Sequence, residues 1–262
     1  KRDDSGVETG MRLCLNAAPI NAFCKDDLYP IPTIQQCLKV AGKNHGKHTR
    51  RSKIDLSQAY HRFRCTPGLF NFLWDGVLYT YARVFFGGKV FPAAFQRCMD
   101  SITRSAPFSC LSYFDDIFNE GGTAAQDLEQ TLWIVNTLTA NNMIINMEKS
   151  YFGVYEIPAL GYLVDGEGIR MHPSKVAAIL NWKFPTTGDE VSRFMGTVGF
   201  SRDHIPKFAI TAKPLDVMRT TKHFKPTQAM IDSFETIKKL VSNHVKLTVE
   251  DDSRPVLIGT DA

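Results

Sequence analysis

Cys110-Leu111-Ser112-Tyr113-Phe114-Asp115-Asp116-Ile117-Phe118 is the stretch on which the reading of this chain turns. Apolar and aromatic residues flank two adjacent acids, the pattern of a β-hairpin whose tight turn carries the carboxylates. Neighbouring carboxylates repel, and holding a pair at a strand end is costly unless a cation sits between them. Taken alone, an Asp-Asp turn reads first as a solvated loop. Lys53-Ile54-Asp55-Leu56 changes the weight of that reading. Asp55 lies in a short apolar run, where an unpaired carboxylate is expensive and a metal or cationic partner is the natural explanation. If the two strands are neighbours, Asp55, Asp115 and Asp116 converge on one sheet edge. Three oxygen donors there suit a pair of Mg²⁺ ions shared with substrate phosphates, and hence phosphoryl transfer.

Around this core, Ile54–Leu56, Phe70–Trp74 and Val77–Arg83 also read as strands, separated by turn residues. Thr33 caps a short helix carrying Ile34, Leu38 and Ala41 on one face, and Pro92 opens another bearing Phe95, Met99 and Ile102. Leu128, Leu132, Val135 and Leu138 recur at helical spacing after the Gly121-Gly122-Thr123 turn. Strands and helices alternate irregularly, which predicts an α+β sheet domain. After about Gly168 the pattern turns helical. Thr187 and Glu190 form a capping box ahead of Val191, Phe194, Met195 and Val198, and a further helix from Thr227 carries Met230, Ile231, Phe234, Ile237 and Val241.

From Leu28 to Ile54 there is no acid, while Lys39, Lys43, Lys47, Arg50, Arg51 and Lys53 accumulate around Gly42 and Gly46. Alone, such a run reads as a solvated surface loop; its self-repulsion predicts an extended, mobile segment. The 262 residues are 44% apolar and 22% charged, which excludes a disordered or collagen-like chain. No uninterrupted apolar stretch approaches the roughly 18 residues of a spanning helix, so no membrane span is expected. A net charge of +4 permits a polyanionic partner without requiring one. Cys14, Cys24, Cys37, Cys65, Cys98 and Cys110 form no C-x-x-C pair and read as reduced thiols of a cytosol-like compartment. His45 and His48 have no cysteine or acid at ligand spacing, so no zinc site is expected. The start at Lys1 and the end in an apolar run suggest a piece of a longer product.

Taken in order, the segments resemble the polymerase region of gypsy-type LTR retrotransposons, which is also similar to retroviral reverse transcriptases. Leu28-Tyr29-Pro30-Ile31-Pro32 resembles the Y-P-L-P element, and Ile54-Asp55-Leu56-Ser57-Gln58-Ala59-Tyr60-His61 resembles L-D-L-x-S-G-Y-H. Phe86-Gly87 with Phe91-Pro92-Ala93-Ala94-Phe95-Gln96-Arg97 resembles F-G-L-x-x-A-P-x-x-F-Q-R, and Tyr113–Ile117 resembles Y-L-D-D-I. Asn146–Phe152 resembles K-P-E-K-C-x-F, Leu160-Gly161-Tyr162 the primer-grip hairpin, and Phe200–Pro206 the Y-Y-R-R-F-I-P of the thumb and connection. The likeness runs from about Arg12 to the last residue.

The resemblance implies a right-hand polymerase: fingers and palm over residues 1–168, with an antiparallel sheet and flanking helices, then a helical thumb and connection over 169–250. Residues 251–262 resemble the first strand of a truncated ribonuclease H domain, with Asp261 at its first metal-ligand position. Asp55, Asp115 and Asp116 become the palm triad binding two Mg²⁺, and Lys149 the acid that protonates leaving pyrophosphate. Arg12, Leu56, Tyr60, Phe86, Gly87 and Gln96 fall at nucleotide-binding positions, Gln96 towards the template and Tyr60 beside the sugar. Lys47, Arg50 and Arg51 become phosphate contacts, with Leu160, Gly161 and Tyr162 on the primer. The implied function is RNA-directed DNA polymerisation with dNTPs on a primed RNA or DNA template, within a retroelement polyprotein. Its implied location is the cytoplasm, in a virus-like particle or the cytosol, or the nucleus.

Asn16, Ala18 and Gly88–Phe91 depart from the family pattern, whereas the three acids do not. A degenerate, domesticated nucleic-acid-binding protein is therefore the alternative function. A metal-dependent nuclease would use the same acids and leave the ordered motifs unexplained.

Overall fold

The computed structural model describes residues 15–249. Arg12, Cys14 and the ribonuclease H-like end with Asp261 lie outside the described residues. In chain order the first elements are α1 (Ala18–Asn21), α2 (Ile34–Ala41), β1 (Arg51–Asp55), β2 (Asn71–Trp74), β3 (Val77–Thr80) and α3 (Phe91–Thr103). The hairpin strands β4 (Cys110–Tyr113) and β5 (Asp116–Asn119) follow, then α4 (Ala124–Ala140) and β6 (Tyr151–Val154). After them come β7 (Ile157–Ala159), β8 (Tyr162–Asp165), β9 (Gly168–Met171), α5 (Pro173–Leu180), α6 (Gly188–Gly199), α7 (Phe208–Asp216) and α8 (Gln228–Ser242).

Two compact units interleave along the chain. One comprises the residues up to Val40, Ser52–Asn119 and Gln126–Phe152; the other comprises Ala41–Arg51, Glu120–Ala125 and the residues from Gly153 onward.

The first unit is built on a four-stranded sheet in the order β4-β5-β1-β6. Antiparallel pairing sets Ile54 opposite Ile117 and Asp55 opposite Asp116. Side chains alternate across a strand, so Ser52 and Ile54 of β1 are buried while Lys53 and Asp55 take the other face. Ile54 and Ile117 pack with Phe95, Met99 and Ile102 of α3 and Ile134 and Leu138 of α4.

The α4 helix forms where its spacing predicts it, yet not on the leucine stripe. Leu128 and Leu132 are 58% and 51% exposed, whereas Asp127, Thr131, Ile134 and Leu138 face inward. The cause is a buried polar network. Ser52 donates to Asp127 Oδ2 (2.8 Å), Asn119 Nδ2 to Asp127 Oδ1 (2.9 Å), and Thr131 to Ser52 Oγ (2.9 Å). Buried polar groups must be paired, and this set rotates α4 to satisfy them.

The Thr33 cap and the turn after Trp74 form as expected. Thr33 Oγ1 accepts from the Gln36 N–H (3.2 Å) while Gln36 Oε1 takes the Thr33 N–H (2.7 Å), a reciprocal cap on α2. Asp75 and Gly76, both at positive φ, form the two-residue turn between β2 and β3. The described cysteines Cys24, Cys37, Cys65, Cys98 and Cys110 are free thiols.

In the second unit β7-β8-β9 form an antiparallel sheet, β9 lying where the pattern was expected to turn helical; the expected helices α6 and α8 follow, joined by α5 and α7, which the spacing did not mark. Thr187 Oγ1 caps α6 by accepting from the Glu190 N–H (3.3 Å). Glu190 reaches one residue further back than the motif predicts, to the Thr186 N–H (2.7 Å). Val191, Phe194, Met195 and Val198 are all buried. Gly168 sits at φ +146° against the Leu247 carbonyl, where any Cβ would overlap that oxygen. The close approach lets Ile169 and Leu247 exchange backbone hydrogen bonds of 2.7 and 2.8 Å.

The basic run is a correction. It folds back on itself and meets an acid from outside the run. Arg51 is 0% exposed and donates to the carbonyls of Ala41 (3.0 Å), Thr49 (3.5 Å) and Asn44. Arg50 lies 3.6 Å over the Tyr155 ring and donates to Gly153 O (3.1 Å). Lys43 pairs with Glu120 (2.7 Å). Glu120 and Gly153 come from elsewhere in the chain, whereas the carbonyls that Arg51 meets lie within the run itself, brought round by its turns. Lys47 alone of the three candidate phosphate contacts is an exposed cation.

Candidate active site

Asp55 ends β1, and its backbone is held on both sides. Its N–H donates to Ser150 Oγ (3.0 Å), and its carbonyl accepts from the Asn146 N–H (2.8 Å). Ser150 Oγ in turn donates to Asn146 O (2.7 Å). The segment 146–150 thus braces the strand end that carries the carboxylate.

Asp115 sits in the β4–β5 turn, where Tyr113 pairs with Asp116 and only Phe114 and Asp115 remain in the loop. Phe114 adopts φ +53°, a left-handed conformation that is strained for a bulky residue. Gln96 of α3 holds that turn. It is 0% exposed, takes the Phe114 N–H on Oε1 (2.9 Å) and donates to Ser112 O (2.8 Å) and Asp100 Oδ1 (2.7 Å). The expectation that Gln96 faces a template is therefore overturned. A fully buried amide with its hydrogen bonds spent on the hairpin positions Asp115 instead. A glutamine within helical reach of a two-acid hairpin is the sequence signal for such a clamp.

The register brings the two acid-bearing strands together, and the Leu56 N–H donates to Asp115 O (3.0 Å). Burial pushes the Asp55 carboxyl above its ordinary value, the Asp116 charge adds to the rise, and Lys149 and Lys53 oppose it. Asp115 is likewise raised by burial and by the Asp116 and Asp55 charges. Asp116 is in an ion pair. Its Oδ1 lies 2.7 Å from Lys53 Nζ, with side-chain exposures of 19% and 13%.

The three acids share one region, but they are not a three-carboxylate set. Among the described residues no group of three His, Cys, Asp or Glu side chains is placed to hold a metal. The predicted triad is corrected to that extent: like charges repel, and Lys53 draws Asp116 aside. Two mutually repelling carboxylates, both held above their ordinary pKa, still fit a divalent cation, and Asp55 and Asp115 are that pair.

A cavity of about 530 Å³ opens over them, lined by Asp55, Tyr60, Phe86, Asp115, Asn146 and Lys149. Tyr60 stacks on Phe95 with centroids 4.7 Å apart and tilts against Phe86 at 5.3 Å. Burial, helped by the Asp115 charge, pushes its phenol up to about 12, so it is neutral at pH 7. Phe86 is 46% exposed and presents its ring to the opening. Gly87, at φ +102°, has its carbonyl held by Asn21 Nδ2 (2.8 Å). Leu56 is buried at the cavity wall, and Lys149 is exposed at its edge.

In the second unit, Leu160 (φ +49°) and Gly161 (φ +85°) form the β7–β8 turn. Tyr162 is a correction as a primer contact: it is buried, donates to Phe200 O (2.8 Å) and stacks on Phe200 and His204. Lys175, missed in the sequence, lies 3.5 Å over the Phe200 ring.

The family profile described as "Reverse transcriptase (RNA-dependent DNA polymerase)" matches residues 9–164, more than half of the chain. The chain belongs to the reverse transcriptase family. It is 30% identical, over its full length, to the retrovirus-related Pol polyprotein from transposon 297 of Drosophila melanogaster, and covers 25% of that protein. It is 27% identical over 97% of its length to the transposon Tf2-3 polyprotein of Schizosaccharomyces pombe, covering 19% of it. These relatives bear out the gypsy-type assignment. The chain spans a quarter or less of their length.

Among solved structures it is similar to the foamy viral protease-reverse transcriptase in complex with double-stranded DNA, with a TM-score of 0.84 at 22% identity over 92% of this chain and 43% of that one. The same protein with an RNA/DNA hybrid gives 0.79 at 22% identity, over 93% and 33%. The α+β reverse transcriptase fold is thereby established. Divalent metal use is general to the family.

Proposed function

We propose that this chain performs RNA-directed DNA polymerisation within a retroelement polyprotein, adding a nucleotide from a dNTP to a primer 3′-hydroxyl. The observation that carries the reading is the β1–β5 register, which sets Asp55 beside the Asp115 turn at one end of the cavity. In the reaction the primer 3′-hydroxyl releases its proton to water, its oxygen bonds to the α-phosphorus, and the bond from that phosphorus to the α,β-bridging oxygen breaks. Pyrophosphate leaves.

Asp55 and Asp115 hold the divalent ions, two Mg²⁺ in this reading. When bound, such ions lower the pKa of the attacking hydroxyl and neutralise charge on the triphosphate and the departing pyrophosphate. The residues of the chain position and exclude. Gln96 fixes the turn carrying Asp115, and the 146–150 brace fixes Asp55. Tyr60, neutral and stacked on Phe95, offers a flat wall to the sugar and leaves little space for a 2′-hydroxyl. Phe86 and Gly87 shape the base side of the pocket. Lys149, at the rim, gives its proton to a pyrophosphate oxygen. Arg12 serves the triphosphate and Lys47 a nucleic-acid phosphate, while the Leu160-Gly161 turn meets the primer.

In this reading residues 1–168 are fingers and palm, 169–250 thumb and connection, and 251–262 the first strand of a ribonuclease H domain. The partners are a primed RNA or DNA template, dNTPs and the remaining parts of a polyprotein, in a cytoplasmic particle, the cytosol or the nucleus. The test is extension of a primed RNA template with dNTPs and Mg²⁺ or Mn²⁺. Extension by the wild type, lost in Asp55→Asn and Asp115→Asn, is expected. A folded wild type that binds the template and extends with neither metal would overturn the reading.

A further inference from the structure

Lys53 was grouped by sequence with the basic loop, yet the fold gives it other company. It lies two residues before Asp55 in β1, and side chains at that spacing share one face of a strand. Asp116 stands directly opposite Asp55 across the β1–β5 ladder, so its carboxylate emerges on the same face. Directly opposed like charges destabilise a sheet. Lys53 occupies the diagonal position, and its Nζ lies 2.7 Å from Asp116 Oδ1, with both side chains mostly withdrawn from water. Its charge also bears on Asp55 and Asp115.

We propose that Lys53 is the built-in counter-cation of this cluster: it withholds Asp116 from the divalent ion and leaves Asp55 and Asp115 as the carboxylates that ion meets. The proposal rests on the reading of Asp55 and Asp115 as metal ligands, and goes beyond it by naming the residue that sets how many carboxylates compete for the metal. With a lysine inside the cluster, the free protein offsets part of the repulsion among its acids without a bound ion. Divalent affinity is held low until a further anionic ligand, the triphosphate of a dNTP, adds its oxygens. Lys53 is thus a positioning residue, acting through Asp116.

The measurement is Mn²⁺ binding to the purified protein alone, without nucleotide or nucleic acid, by counting free Mn²⁺ in electron paramagnetic resonance. Lys53→Met frees a third carboxylate and is expected to tighten Mn²⁺ binding by about tenfold, since charge count sets the affinity of oxygen-ligand sites. Lys53→Arg, which keeps the pair, is expected to bind as the wild type does. In Lys53→Met/Asp116→Asn the gain should vanish, because the freed carboxylate is gone. Lys53→Gln, also neutral, gives the same reading where methionine perturbs the strand, and circular dichroism verifies the fold of each variant. Unchanged or weaker Mn²⁺ binding in both neutral variants would overturn the proposal. So would a gain that persists in the double variant, which would make Lys53 a source of repulsion at a distance. Unaltered Mn²⁺ binding in Asp55→Asn and Asp115→Asn is a different failure: it removes the metal site and with it this proposal.

Discussion

The strand β1 begins at Arg51, directly after Arg50, and ends in Asp55, and the two ends have opposite fates. Arg50 and Arg51 spend their donors on backbone carbonyls and on the Tyr155 ring, and Arg51 loses all contact with water. Asp55 stays half-buried at a cavity, its carboxyl raised by burial and by Asp116. A charge becomes chemistry where the fold leaves it incompletely compensated. Where partners satisfy it, it becomes architecture.

The largest expected effect strikes the acidic end. Asp115→Asn should lower primer extension by roughly a thousandfold or more while leaving primer–template affinity within about twofold, because the carboxylate serves the reaction and phosphate contacts serve binding. Filter binding and extension on one preparation measure both; parallel losses would erase the distinction.

At the basic end, Arg51→Ala should cost about 2–4 kcal/mol of stability, since buried carbonyls lose their donors and a cavity remains. Urea denaturation reads this directly, and a loss below about 0.5 kcal/mol would return Arg51 to the surface in function. Gln96→Leu should cost about 2–3 kcal/mol, leaving the strained Phe114 turn without its acceptor. Extension should fall along with stability, whereas a neutral effect on extension would detach the turn from the site.

A pH titration sharpens the comparison from the second unit. Burial holds the His204 imidazole below its ordinary value, His244 and Lys175 reinforcing this against the hydrogen bond to Val245 O. The unfolded chain therefore takes up the proton first. His204 contributes stability above the ordinary histidine range, and that contribution is lost as pH falls through the folded-state value. Melting temperature should drop on acidification from pH 7 to 5, and His204→Asn should flatten the drop. The raised carboxyls of Asp55 and Asp115 work in the opposite sense, becoming less unfavourable as they protonate.

The smallest effect belongs to Lys47. Exposed and outside the carbonyl network, Lys47→Ala should leave stability within about 0.5 kcal/mol and flatten the plot of log K against log salt by roughly one unit. An unchanged slope would confine Lys47 to the solvated surface.

Local pattern carried much of the first unit. The β4–β5 hairpin, the strand bearing Asp55, the Pro92 helix and the Thr33 cap are short-range matters of turn chemistry and periodicity, and they stand where the residues predicted them. The face of α4 was not legible, because Asp127 and Thr131 are buried only to satisfy Ser52 and Asn119, about 75 and 8 residues away from Asp127. Gln96 and Tyr162 were misassigned for a related reason: a motif position names a residue, but not which backbone group will claim its side chain.

By itself, the sequence determined many of the elements, the two acid-bearing strands and the family, because periodicity, capping and motif order act over a few residues at a time. Only the tertiary structure decided which charges remained for chemistry. Which group a charge pairs with depends on how the chain folds, through a nearby loop for Arg51 or across a strand pair for Asp116, and the cost of an unpaired buried charge favours such pairing. Arg51 met carbonyls, Asp116 met Lys53, and Asp55 and Asp115 were left lining one cavity.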